Sequence, residues 1–236
     1  MDTVKEWSQE FDILYDNIMS NKAPGLTEYE KSVFLTRAQE EIVLAHFSRS
    51  GNPAQEGLDD SIERQQDFAS LIVHATMTQN GTGTLDPRAK QFVYPTDLLF
   101  SLNEQVAVSA NNETKYLVVV PLSYEEYARL MRKPYKYPAR DCAWRLLVNA
   151  GISGNTTMKA EVIARVPDGA TMTYYIGYVK KPDPIILNDD LADEGYGSIN
   201  GKTTAATCTL PSHLHNEILV RAVSLAKAVW DDPNNV

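Results

Sequence analysis

Leu214, Ile218, Leu219, Ala222, Val223, Leu225, Ala226, Val229 and Trp230 recur mostly at steps of three and four. That spacing predicts a helix with a wide apolar stripe, and a closing helix of this kind must bury its stripe against another element. Upstream, Thr171-Met-Thr-Tyr-Tyr-Ile-Gly-Tyr-Val-Lys-Lys181 is aromatic and β-branched. It predicts a strand, which Pro182 and Pro184 stop.

The surface to receive that stripe lies at the other end of the chain. Val4, Trp7, Phe11, Leu14, Tyr15 and Ile18 fall on one side of a predicted helix, with Glu6, Glu10, Asp12 and Asp16 largely on the others. Thr27-Glu-Tyr-Glu30 has the capping-box form, in which hydroxyl and carboxylate satisfy free amides at a helix start. A second helix should follow to about Phe47, with Val33, Phe34, Ala38, Ile42 and Leu44 inward. Asp60 and Glu63 suggest a third helix carrying Ile62, Phe68, Leu71 and Ile72, and His46 and His74 then lie in helical stretches. The expected bundle core is Trp7, Phe11, Leu14, Ile18, Phe34, Ile42, Leu214, Ile218 and Val229.

After Asn80-Gly-Thr-Gly the period shortens to two. Residues 91–94, 105–109, 115–121, 143–148 and 158–166 join the Thr171 run as about six short strands. Ser123-Tyr-Glu-Glu126 repeats the capping-box spacing and introduces a short helix to about Met131. The expected fold is therefore α+β: N-terminal antiparallel helices joined by the C-terminal helix into a bundle, with a middle antiparallel β region. Its parts are a helical part (1–79), a β part (80–184), an extended insert loop (185–207) and the returning helix (208–236).

A net charge of −9, from 31 acidic against 22 basic residues, argues against a protein that grips phosphate through a basic face. No apolar run approaches the roughly 18 residues needed to span a bilayer, and no membrane partner is expected. Met1-Asp-Thr-Val-Lys-Glu-Trp7 is too polar to begin a signal peptide. Cys142 and Cys208 lie far apart in no metal-ligand spacing, which fits a reduced setting. His213-Leu-His215 and Glu217 crowd three potential ligands, yet helical positions two apart do not share a face. No nucleophile elbow, phosphate loop or paired Cys-x-x-Cys occurs, so neither a catalytic residue, a metal nor a cofactor is expected.

The basic residues Arg129, Arg132, Lys133, Lys136 and Arg140, interleaved with Tyr127, Tyr135 and Tyr137, form the one segment suited to an acidic partner or to stacking plus phosphate contact. Tyrosine and arginine are also what protein interfaces favour, and an acidic chain tips the reading toward protein contact. The insert, with Tyr196 and Ile199, and the terminal Trp230 complete the candidate interface. Contact with a neighbouring subunit is expected to order the insert.

Glu10-Phe-Asp-Ile-Leu-Tyr-Asp-Asn-Ile18, Ala23-Pro-Gly-Leu-Thr-Glu-Tyr-Glu30, Tyr174-Tyr-Ile-Gly-Tyr-Val-Lys-Lys-Pro182 and Leu210-Pro-Ser-His-Leu-His-Asn-Glu-Ile218 together resemble virion structural proteins of crAss-like tailed phages. The layout is similar to the head-to-tail adaptor, or tail tubular, proteins of short-tailed phages. The resemblance implies a homo-oligomeric ring of about a dozen copies below the portal protein, with the next ring or tail proteins as further partners. DNA would pass through the hole without sequence-specific binding, in a virion assembled in the host cytoplasm. No catalytic motif travels with that family. Two other classes remain open: a metal-dependent hydrolase using the insert carboxylates or His213 and His215, and a DNA-binding packaging or ejection factor using residues 127 to 140.

Overall fold

The computed structural model describes residues 1, 3–19, 25–47, 66–133, 137–149, 158–167, 169–193 and 195–230. In chain order its elements begin with α1 (Val4–Met19), α2 (Glu28–Phe47) and a 3-10 turn at Ala69–Leu71. Next come β1 (Ile72–Thr82), β2 (Lys90–Val93), β3 (Leu98–Ala110), β4 (Glu113–Pro121) and α3 (Tyr124–Met131). The chain continues through β5 (Cys142–Asn149), β6 (Met158–Ile163), β7 (Thr171–Lys180), β8 (Ile186–Asp190), β9 (Thr204–Ala206) and α4 (Ser212–Trp230). Two units result: a helical unit of residues 1–71 and 181–236, and a β unit of residues 72–180.

The β unit is a closed barrel in the order β1-β2-β6-β5-β4-β3-β7. Seven strands cannot alternate in direction all the way round a closed ring, so one neighbouring pair has to run parallel. That pair is β4 and β5, with Val118 opposite Cys142 and Pro121 opposite Arg145. A parallel pair needs a crossover rather than a tight turn, and residues 122–141 supply it with α3 inside. Alternate residues fill the interior. Val106, Leu117, Val162, Tyr174 and Ile176 are almost wholly buried there.

This overturns the expected bundle with about six short antiparallel strands. β1 and β3 run to 11 and 13 residues, the sheet closes on itself, and one pair is parallel. The predicted third helix ends earlier than expected: most of it lies outside the described residues, Gln66 and Asp67 are helical, and the helix does not reach Ile72. Ile62 lies outside the described residues, Phe68 and Leu71 are buried at the 3-10 turn, and Ile72 opens β1. His74 is therefore a strand residue paired with Gly177, because Val73, Ala75 and Met77 alternate inward with a period of two.

In the helical unit, α1 and α2 both begin with reciprocal caps. Thr3 Oγ1 accepts from Glu6 N at 3.3 Å, and Thr27 N donates to Glu30 Oε2 at 2.8 Å. Trp7, Phe11, Leu35, Ile218 and Leu219 are fully buried. The stripe of α2 is partly polar, and its polar groups face backbone. Ser32 Oγ accepts from Leu187 N at 2.9 Å, and Gln39 Nε2 donates to the Asp183 carbonyl at 3.0 Å. Four helix residues advance about 6 Å and two strand residues about 6.6 Å, so side chains four apart on a helix meet every second residue of an extended chain. Lys31, nearly inaccessible, ties α1 to α2 through Asp12 at 2.7 Å and Glu28 at 3.0 Å. No described helix is long and apolar enough to cross a membrane.

Candidate functional site: assembly surfaces

The basic, tyrosine-rich segment divides into an inward and an outward part. Ser123 and Glu126 cap α3 as the spacing predicts: Ser123 N donates to Glu126 Oε2 at 3.0 Å, and Glu126 N donates to Ser123 Oγ at 3.2 Å. Tyr127 and Tyr137 turn inward and pack with Leu122 and Trp144 on Ala89, Leu146 and Ile163, on the outside of the barrel wall. Arg88 lies 4.2 Å above the Tyr137 ring and pairs with Asp86 at 3.0 Å. Burial, and then the nearby Asp86 charge, push the Tyr127 phenol above its ordinary range. Arg129, Arg132 and Lys133 are exposed, whereas Tyr135 and Lys136 lie outside the described residues.

Beneath that corner the β1–β2 connection folds over the barrel wall onto Glu161, whose carboxylate is buried. It accepts from Thr84 N and Thr84 Oγ1 at 2.6 Å each, Gln91 Nε2 at 2.9 Å and Leu85 N at 3.2 Å. Burial alone would raise the pKa of this carboxyl; the donors outweigh it and hold the group below its ordinary range. Inside the barrel, Glu104 lies 2.9 Å from Arg145 and accepts from Tyr94 OH at 3.0 Å. These groups fix local structure, and sequence spacing alone did not single them out.

In the helical unit, Ile199 is buried with Ile186 and Leu191 against Tyr29 and Val33. Tyr196 stacks on Tyr29, with ring centres 4.4 Å apart and planes 4° from parallel. Residues 185–207 thus carry the β8–β9 hairpin and a packed turn of their own. Among the expected core residues, Trp7, Phe11, Ile42, Leu214 and Ile218 are buried, and Leu14 and Phe34 are half-buried. Val229 is 49% exposed near the end of α4. Ile18 and Trp230 belong to α1 and α4, and their side chains lie outside the described set.

The two histidines of α4 part company. His213 meets Asp67 at 3.0 Å, while His215 is buried beside Trp7 with Nε2 2.9 Å from the Leu210 carbonyl. No group of three metal-ligating side chains occurs among the described residues.

The outer face of β4, β3, β7 and β1 was not singled out by sequence reasoning. Tyr116, Ala107 and Thr173 form one row across the ladder, and Val118, Gln105, Tyr175 and Thr76 the next. Tyr116 is 58% exposed and Val118 66%. At Gly177 the face dips into a hollow of about 330 Å³, where an added Cβ would fall 1.9 Å from Asn103 Oδ1. The signal was present in the sequence: every second residue from Asn103 to Ser109, Thr114 to Val118 and Thr171 to Gly177 is uncharged.

Charge is unequally shared. Residues 72–180 hold 12 Lys and Arg against 9 Asp and Glu, whereas the helical unit holds 10 against 22. The protein's acidity therefore resides in the helical unit.

Comparison with known proteins gives this arrangement its context. The profile of the family described as phage tail ring protein 3/4 matches residues 1–235. Ring protein 4/5 of Bacteroides phage crAss001 is 46% identical over 231 residues, covering 96% of this chain and 93% of that protein. Ring protein 3 of the same phage is 29% identical over 231 residues, covering 95% and 94%. The chain belongs to the phage tail ring protein 3/4 family and is a structural ring protein of a phage tail.

Proposed function

We propose that copies of this chain close head-to-tail into a ring of about a dozen beneath the portal, joining head to tail around the channel through which the genome passes. The full-length likeness to two ring proteins of one phage carries this reading. A channel wall of negative charge repels phosphates and lets DNA slide without being trapped. The excess of acidic residues in the helical unit supports a channel lined by that unit. The exposed Arg129, Arg132 and Lys133 on and just beyond α3 face an acidic surface of the portal or of the next ring. The ring is assembled in the host cytoplasm and carries no catalytic step.

Native mass measurement and imaging of the purified protein mixed with its portal test this. A closed ring seated on the portal is the expected result. A mixture in which both proteins stay apart, and whose particles lack an annulus of this chain, would overturn it.

A further inference from the structure

We propose that the outer face of β4, β3, β7 and β1 is the surface through which one copy of this chain holds the next copy in the ring; this rests on the ring reading above and specifies its contact. At His74 and Thr76, and at alternate positions of 103–109, 114–118 and 171–177, the ladder registers place thirteen residues outward, and none is Asp, Glu, Lys or Arg. Solvent-facing surfaces are about 25–35% charged, so about three or four charges belong on a face of this size. Their absence leaves Tyr116, Val118 and Tyr175 exposed among Thr, Ser and Gln. Charge depletion with tyrosine enrichment marks the centre of stable protein contacts.

The barrel dictates how a partner can engage. A closed sheet has no free edge, so a neighbour cannot add a strand and must pack side chains on a face. Four strands about 4.8 Å apart and some 20 Å long give a footprint of roughly 400 Å², before side-chain relief is added. That is a large part of the ~800 Å² each partner contributes to a stable complex. Ring closure sets a copy against every other copy whatever else docks above or below. The permanent contact is thus the natural claimant for the uncharged face, and the Gly177 hollow beside Tyr175 offers a seat for a protruding side chain.

The test places the photo-crosslinking residue p-benzoylphenylalanine at position 116 of the full chain, in assembled particles. Irradiation should give a denatured species of twice the 26.3 kDa chain mass. A crosslink to a protein of different mass, or none, overturns the proposal while leaving the ring reading standing. Particles that lack the chain altogether overturn both. As a second measure, Val118→Arg should melt like the parent protein yet need at least about tenfold more protein to assemble. Assembly of a folded Val118→Arg protein at the parent concentration overturns the proposal.

Discussion

Thr36 Oγ1 accepts a hydrogen bond from Ile185 N at 3.1 Å and donates one to the Ile185 carbonyl at 3.2 Å. A single buried hydroxyl thereby satisfies both backbone groups of one residue, at the point where the chain re-enters the helical unit.

Thr36→Val keeps the shape and removes both bonds. Leaving a buried amide and carbonyl unpaired costs about 2–3 kcal/mol. Hydrogen exchange at Ile185 should accelerate strongly, with the neighbouring Leu187 amide, held by Ser32, less affected. Unchanged protection at Ile185 would show that the pairing contributes nothing.

Glu161→Gln replaces an acceptor of four hydrogen bonds by a group that must present an amide to some of the same donors. At pH 7 the barrel should lose about 2–4 kcal/mol, because donors at a buried site are left without a carboxylate. The pKa of Glu161 is depressed on folding from its ordinary 4.5, so its contribution is present above that value and lost as pH falls through the lowered one. The gap between the melting curves of variant and parent protein should therefore narrow progressively as pH falls below 4.5. A gap that stays constant down to pH 3 would contradict the ionised carboxylate.

Gly83→Ala tests the loop that covers Glu161. The added Cβ would lie 2.5 Å from Ala89 Cβ and 2.5 Å from the Asp86 carbonyl oxygen, neither at the end of a flexible side chain. The loop must shift, at about 1–3 kcal/mol of barrel stability. Gly197, whose surroundings are open, should accept alanine with little change.

Lys31→Ala breaks the link from α1 to α2. Burial alone would lower the lysine's pKa, but its hydrogen bonds to Asp12 and Glu28 and their charges raise it above 10.5. Its contribution is thus whole below 10.5 and fades as pH rises through the higher folded value. Since both carboxylates are close to half exposed, the loss at pH 7 should be about 1–2 kcal/mol. That difference should shrink in strongly alkaline buffer.

Charge reversal at Arg132 and Lys133 addresses the exposed part of the basic segment. Both side chains are exposed, so folding should be untouched and virion yield should fall at least about tenfold. Normal yield would remove these residues from any contact that assembly requires.

Much of the helical pattern was legible, because Trp7, Phe11 and Ile218 sit at spacings that only a 3.6-residue period brings to one side. The start of α3 was equally legible from Ser123 and Glu126, whose mutual capping is local chemistry. Barrel closure was not, since it depends on registers between strands far apart in sequence, such as β1 with β7. The start of β1 reads as helix, because Ile72 continues the three-to-four spacing of Phe68 and Leu71 before the alternation of Val73, Ala75 and Met77 begins. The polar groups Ser32, Thr36 and Gln39 interrupt the apolar stripe of α2, and nothing local reveals that extended backbone from residues 183–187 fills the gap. The uncharged face was hidden for the opposite reason. Its residues are unremarkable one by one, and only the ladder brings them side by side.

Imaging complete particles at a resolution that separates strands tests the ring reading most directly. The prediction is an annular density at the head–tail junction, built from rotationally related copies, into which the seven-stranded barrel and the helical unit each fit. Particles whose head–tail junction contains no such annulus, or one that this chain cannot occupy, would contradict it.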